Sequence, residues 1–70
     1  SFNKNADFAG RIVYDDKGVE LFNFGKYKGM PVVEVLRRDP GYYSWVLNSD
    51  FSLNTKSVLT KIRLRAFTEK

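Results

Sequence analysis

The sequence predicts an α+β fold in which an N-terminal β-hairpin of two to three short strands packs against about three short helices. Three observations predict it. Two short runs of β-branched and aromatic residues flank an acidic, glycine-ended turn, and apolar residues recur at helical spacing from Val32 onwards. The third is composition: 43% hydrophobic and 16% aromatic residues supply the dense core that a 70-residue chain needs to fold without disulfides or a structural metal.

Taken in order, Ser1 to Asp7 is polar and without periodicity. Residues 1–8 are therefore expected to be a disordered linker, the edge of a piece cut from something longer, and residues 9–70 a single small module. Arg11-Ile12-Val13-Tyr14 and Val19-Glu20-Leu21-Phe22 read as the hairpin strands, with Asp15-Asp16-Lys17-Gly18 as their turn. Gly25 and Gly29 permit a second tight reversal, after which Met30-Pro31-Val32 adds a short extended piece or leads straight into a helix. Val32, Val35 and Leu36 share one side of that helix, with Glu34, Arg37 and Arg38 on the other. Asp39-Pro40 breaks it and starts a second helix, in which Asp39 is placed to cap and Tyr42, Trp45 and Val46 share a face. Asn48-Ser49-Asp50 ends that helix. A third and longer one runs from about Ser52 or Leu53 to about Phe67, with Thr55, Val58, Leu59, Ile62 and Ala66 as its inward stripe.

Several kinds of chemistry are excluded. The chain has no cysteine and no histidine, which removes disulfides, thiolate nucleophiles, the usual zinc ligand sets and histidine general bases. No glycine-rich loop ends in Lys-Ser or Lys-Thr, the serines lack a base partner, and Glu20, Glu34, Asp39 and Asp50 are scattered over separate elements. Asp15 and Asp16 read as turn residues rather than metal ligands. The expectation is no catalytic residue, no metal ligand and no cofactor in this stretch. No run approaches the length of a membrane helix and nothing at the start reads as a signal peptide, so a soluble, cytoplasmic setting without membrane contact is expected.

Twelve Lys and Arg against eight Asp and Glu give a net charge of +4, which favours polyanionic partners. The glycine-flanked turn is the most suggestive place for one. Lys26, Tyr27 and Lys28 sit at its tip, and two ammonium groups flanking a flat aromatic suit a phosphate backbone with a base stacked between contacts. Phe22, Phe24 and the two glycines read as structural, while Lys26 and Lys28 stand open between ligand contact and ordinary solvated surface. The last segment concentrates Lys56, Lys61, Arg63, Arg65 and Lys70, a positive face that is either a partner surface or a solvated helix side. Trp45 and Phe51 read as core anchors, and one of Tyr42 and Tyr43 is expected to keep its hydroxyl in water. Leu53, Leu64 and Phe67 point away from the inward stripe, so either the helix end wraps differently or an apolar patch is left for another domain.

Phe24-Gly25-Lys26-Tyr27-Lys28-Gly29, Val32-Val33-Glu34-Val35-Leu36, Asp39-Pro40-Gly41-Tyr42-Tyr43-Ser44-Trp45 and Asp50-Phe51 with Thr55-Lys56 together resemble the small C-terminal module of exodeoxyribonuclease X-like and DNA polymerase III epsilon-like 3′-5′ exonucleases. The resemblance runs from about Val19 to Arg65. It implies a bacterial protein of DNA repair or replication, monomeric, in which the module follows an exonuclease core of the DEDD type. The four acids of such a core hold two divalent metals, Mg or Mn, and none of those acids is present here. Ser52 departs from the pattern, where many relatives carry proline, and leaves the start of the last helix open.

Carried onto this chain, the resemblance makes Lys26, Tyr27 and Lys28 the leading candidates for gripping DNA, single-stranded or at a 3′ end, with Arg37, Arg38, Lys56, Arg63 and Arg65 extending the positive surface. Binding would be salt-sensitive and little concerned with sequence. The competing expectation is a protein-docking module that applies Leu53, Leu64 and Phe67 to its own exonuclease core or to a replication or repair partner.

Overall fold

The computed structural model describes residues 4–68. Strands β1 (Ile12–Tyr14) and β2 (Glu20–Phe22) pair antiparallel, with Ile12 opposite Phe22, Val13 opposite Leu21 and Tyr14 opposite Glu20. The turn between them is held by Asp15, whose carboxylate accepts the backbone N–H groups of Lys17 at 2.8 Å and Val19 at 2.9 Å. That is the side-chain mimicry of a turn for which aspartate is favoured. These bonds also favour the charged form and hold the Asp15 carboxyl below its ordinary value of 3.8, the Val19 N–H contributing most.

After β2 the chain makes a single 3-10 turn, Gly25–Tyr27, and folds back on the strand. The Phe22 N–H donates to the Met30 carbonyl at 3.0 Å, the Gly29 N–H donates to the Phe22 carbonyl at 2.7 Å, and Leu21 bridges to Pro31. Both alternatives read for this stretch are therefore realised, an extended residue at Pro31 and a helix from Val32. Helix α1 (Val32–Arg38) buries Val32, Val35 and Leu36. Helix α2 (Pro40–Leu47) follows after one residue, with Pro40 in its first turn, and helix α3 (Leu53–Thr68) completes the fold. The Ser52 hydroxyl accepts the Thr55 N–H at 3.2 Å, a serine N-cap that settles where the last helix begins in the absence of proline.

The core lies between the hairpin and the three helices: Ile12 and Phe22 from the strands, Val32, Val35 and Leu36 from α1, Tyr42 and Val46 from α2, Leu59 and Ile62 from α3. The two-stranded hairpin with three helices is the α+β arrangement that the sequence predicts.

Two expectations need correction. Residues 1–3 of the proposed linker lie outside the described residues, but residues 4–8 belong to the fold. The Tyr14 N–H donates to the Lys4 carbonyl and the Ala6 N–H to the Ile12 carbonyl, both at 2.7 Å, and Asn5 bridges to Val13. Asp7 is buried, accepting the Ile12 N–H at 3.1 Å and the Thr55 hydroxyl, while the Phe8 N–H reaches Asn54 Oδ1 at 2.6 Å. A carboxylate near the first turn of α3 is favoured by the amide dipoles there, which draws a polar segment onto the fold where apolar patterning shows nothing. The second correction is Trp45, read as a core anchor but 54% exposed.

Candidate functional site

Five aromatic side chains form a closed circuit beside the glycine turn. Phe22 meets Phe24 edge-on at 5.7 Å between centroids, Phe24 meets Phe51 at 4.8 Å, Phe51 meets Trp45 at 6.1 Å, Trp45 stacks on Tyr42 at 5.3 Å with 21° between planes, and Tyr42 returns to Phe22 at 5.4 Å. The circuit draws on β2, the segment after it, α2 and the link between α2 and α3, so those elements share one packing unit. Its inner members are structural. Trp45, at the outer edge, is the member left half in solvent.

Trp45 opens onto a cavity of about 480 Å³ lined also by Phe24, Gly25, Lys26, Asp39, Gly41 and Tyr42. Two features of the turn shape it. Gly25 has φ of +66°, and a Cβ there would stand 3.4 Å from the Tyr42 hydroxyl, so only glycine combines this backbone with so close an approach. Tyr27 packs its edge on Tyr42, 4.8 Å between centroids, and donates its hydroxyl to Asp39 Oδ2 at 2.9 Å. Asp39 therefore spends its carboxylate on the turn, making no capping bond to α2, although it occupies the capping position. The bond to Asp39, followed by burial, raises the Tyr27 pKa above 10.0; Tyr42 is raised by burial first and then by the charge of Asp39.

Two cations lie on aromatic faces in this region. Lys26 Nζ lies 5.1 Å from the Tyr27 ring centre, and the Arg11 guanidinium lies 5.8 Å from Phe24 and 5.5 Å from Phe51. Lys28, the residue that follows the 3-10 turn, is exposed and does not line the cavity. A second groove, about 690 Å³, runs between the end of α1, the start of α2 and the end of α3. Arg37 and Arg63 line it, Arg63 standing 4.7 Å over Tyr43 and Arg37 5.9 Å over Phe67.

The predicted basic residues thus fall into separate groups. Lys26 joins the aromatic cavity, and Arg37 and Arg63 share the second groove. Arg38 is bound to Glu34 at 2.9 Å, and Arg65 to Glu20 at 2.8 Å. Lys56, on the first turns of α3, lines neither cavity. Of the two tyrosines, Tyr43 exchanges a hydrogen bond with Thr60 at 3.1 Å, and Tyr42 is buried. Leu53, Leu64 and Phe67 are exposed, by 83%, 51% and 42%. Trp45 and Arg11 were missed as site residues. The signal for Trp45 lay in α2 being apolar on nearly every side, with more aromatic surface than one buried face can accept.

Residues 22–50 match the family described as exodeoxyribonuclease X-like C-terminal. Exodeoxyribonuclease 10 of Escherichia coli strain K12 is 46% identical over 55 residues, which is 79% of this chain and 23% of that protein. The chain carries an exodeoxyribonuclease X-like C-terminal module. Exodeoxyribonuclease 10 of Escherichia coli O6:H1 strain CFT073 matches with the same identity and coverage, so the chain spans about a quarter of the length of these curated relatives. No solved structure matches. The matched stretch of the module runs from the end of β2 to just beyond α2, and so contains the glycine turn, Asp39 and Trp45. No three acidic side chains gather in the module among the described residues, and none of its described helices is long and apolar enough to cross a membrane.

Proposed function

We propose that this module is a non-catalytic nucleic-acid-binding accessory domain of a 3′-5′ DNA exonuclease, whose metal-dependent core lies outside this chain. The observation that carries the reading is Trp45: a half-exposed indole stacked on Tyr42 and lining a cavity that Lys26 also lines. An aromatic face beside a cation is how proteins hold a strand without reading its sequence, the ring taking a base and the ammonium a phosphate. Tyr27 supports this site by fixing the turn and does not itself reach for the strand. Arg11, beside the Phe24 and Phe51 rings, adds positive charge to the same aromatic circuit.

Trp45 is the chain's single tryptophan, so its fluorescence reports on the site directly. Short single-stranded and duplex DNA are titrated at low and moderate salt. Quenching that weakens as salt rises, and that Lys26→Ala reduces, is the expected result; no change with either DNA at low salt refutes the proposal.

The second reading, a docking module, is favoured by the exposure of Leu53, Leu64 and Phe67 along α3. It has its own signature. Leu64→Ala would impair the parent exonuclease while Lys26→Ala would not, since Leu64 lines neither cavity.

A further inference from the structure

The aromatic cavity and the arginine groove meet at one residue. Gly41, in the first turn of α2, lines both. On one side lie Trp45, Tyr42 and Lys26; on the other, Arg63 over Tyr43 and Arg37 over Phe67. Neither Arg37 nor Arg63 has an acidic partner among the described residues, whereas Arg38 and Arg65 are each paired with a glutamate. Two guanidinium groups held on aromatic faces, with no ion-pair partner among the described residues, form a site for an anion, and the rings beneath them are surfaces for a flat ligand. Gly41 is the low crossing between the two sides. A Cβ placed on it would meet no atom closer than Asp39 Oδ1 at 3.7 Å, and its φ is not in the left-handed region, so a larger side chain would be tolerated by the helix and would rise into the crossing.

Building on the nucleic-acid reading above, we propose that the two cavities are successive subsites of one track for a single strand of DNA. An unpaired base lies on Trp45, the sugar-phosphate chain crosses at Gly41, and the adjoining phosphates meet Arg63 and Arg37. The ligand is a single strand because a base reaches the indole only when it is free of a partner and unstacked from its neighbours. Ring faces and phosphate-binding cations meet any base alike, which leaves the track indifferent to sequence.

The test compares a thymidylate dinucleotide with a longer oligothymidylate, reading Trp45 fluorescence across a salt series. Each phosphate neutralised on a single strand adds about 0.7 to the slope of log affinity against log salt. With Lys26 alone engaged the slope is about 0.7, and with Arg37 and Arg63 added it reaches about 2. The expected result is a slope near the lower value for the dinucleotide and near the higher one for the longer strand. Gly41→Leu should return the longer strand to the dinucleotide's slope. Because this substitution replaces glycine inside a helix, it should not lower thermal stability, and weaker binding cannot be put down to unfolding. Arg37→Ala and Arg63→Ala should each remove about 0.7 from the slope of the longer strand alone. The track is overturned if Gly41→Leu, or both arginine variants, leave that slope unchanged, the outcome expected of a groove that serves a protein partner. It is overturned equally if a duplex of the same length binds as tightly. In those cases quenching of Trp45 by DNA still stands as evidence for the accessory-domain reading, whereas loss of all quenching in the unmodified protein removes both.

Discussion

Replacing Thr55 by valine removes one hydroxyl and almost no volume, and the structure sets the scale of what is lost. Thr55 is 1% exposed and Asp7 3% exposed, and the Thr55 hydroxyl is one of two donors to the Asp7 carboxylate, the other being the Ile12 N–H at 3.1 Å. The same hydroxyl oxygen accepts from Ser52 Oγ at 3.1 Å, which ties the carboxylate to the N-cap of α3. A hydrogen bond to a charged group contributes about 1.5–3 kcal/mol net, and a buried acceptor left short of a donor costs a similar amount. Thr55→Val should therefore lower stability by about 2–3 kcal/mol, against a total of about 4–10 kcal/mol for a domain of this size. For so small a domain each kcal/mol moves the melting temperature by about 4–8 °C, which puts the fall at roughly 10–20 °C. Urea and thermal unfolding followed by circular dichroism measure it, and a double-mutant cycle with Asp7→Ala isolates the pair. A loss below about 0.5 kcal/mol, or additivity in the cycle, would refute the reasoning and mean that the carboxylate is hydrated, with residues 4–8 not held against α3.

Three further predictions concern the turns. Gly25→Ala should cost about 1–2 kcal/mol from its left-handed backbone alone, with crowding of the Tyr42 hydroxyl in addition, while Gly41→Ala should cost nothing; equal urea midpoints for the two variants would contradict this. Tyr27 has a folded pKa above its unfolded value of 10.0, so the stability its protonated phenol provides is complete below pH 10 and is lost as pH rises through the folded value. Asp39→Asn should bring the phenol back toward 10.0 in an ultraviolet absorbance titration, and an unmoved curve would show that the bond to Asp39 does not govern it. Asp15 has the opposite sign: its folded pKa lies below 3.8, so its contribution is present above that value and disappears as pH falls through the folded pKa. An Asp15→Ala variant should show a flatter stability profile at the acid end than the unmodified chain.

The fold was legible wherever the sequence carries local punctuation. Asp15-Asp16-Lys17-Gly18 marks the hairpin turn, Asp39-Pro40 marks the step between two helices, and the spacing of Thr55, Leu59 and Ile62 marks the inner side of the third. Turn and cap chemistry acts over a few residues and so can be read along the chain. Long-range polar contacts cannot. Asp7 finds Thr55 across 48 positions, Arg65 finds Glu20 across 45 and Tyr27 finds Asp39 across 12, and no periodicity announces any of them. Those pairs decide which polar residues are tied down and which are left to meet a ligand. Trp45 escaped for a related reason: a helical wheel shows that Tyr42, Trp45 and Val46 lie near one another, but which edge of that face the rest of the chain covers depends on where β2 and α1 stand.

The bond between Tyr27 and Asp39 also bears on the entropy of binding. It ties the tip of the glycine turn to the junction of α1 and α2, so Lys26 is carried on backbone whose position is already set relative to Trp45. A ligand meeting both side chains does not have to order a loop, and the freedom lost on association is confined to the lysine side chain and the ligand itself, about 0.5–1.5 kcal/mol for the former. Opening the latch, by Tyr27→Phe or by alkaline ionisation, would remove no contacting group and yet slow the capture of a strand, because the turn would then have to be found in the right position by chance.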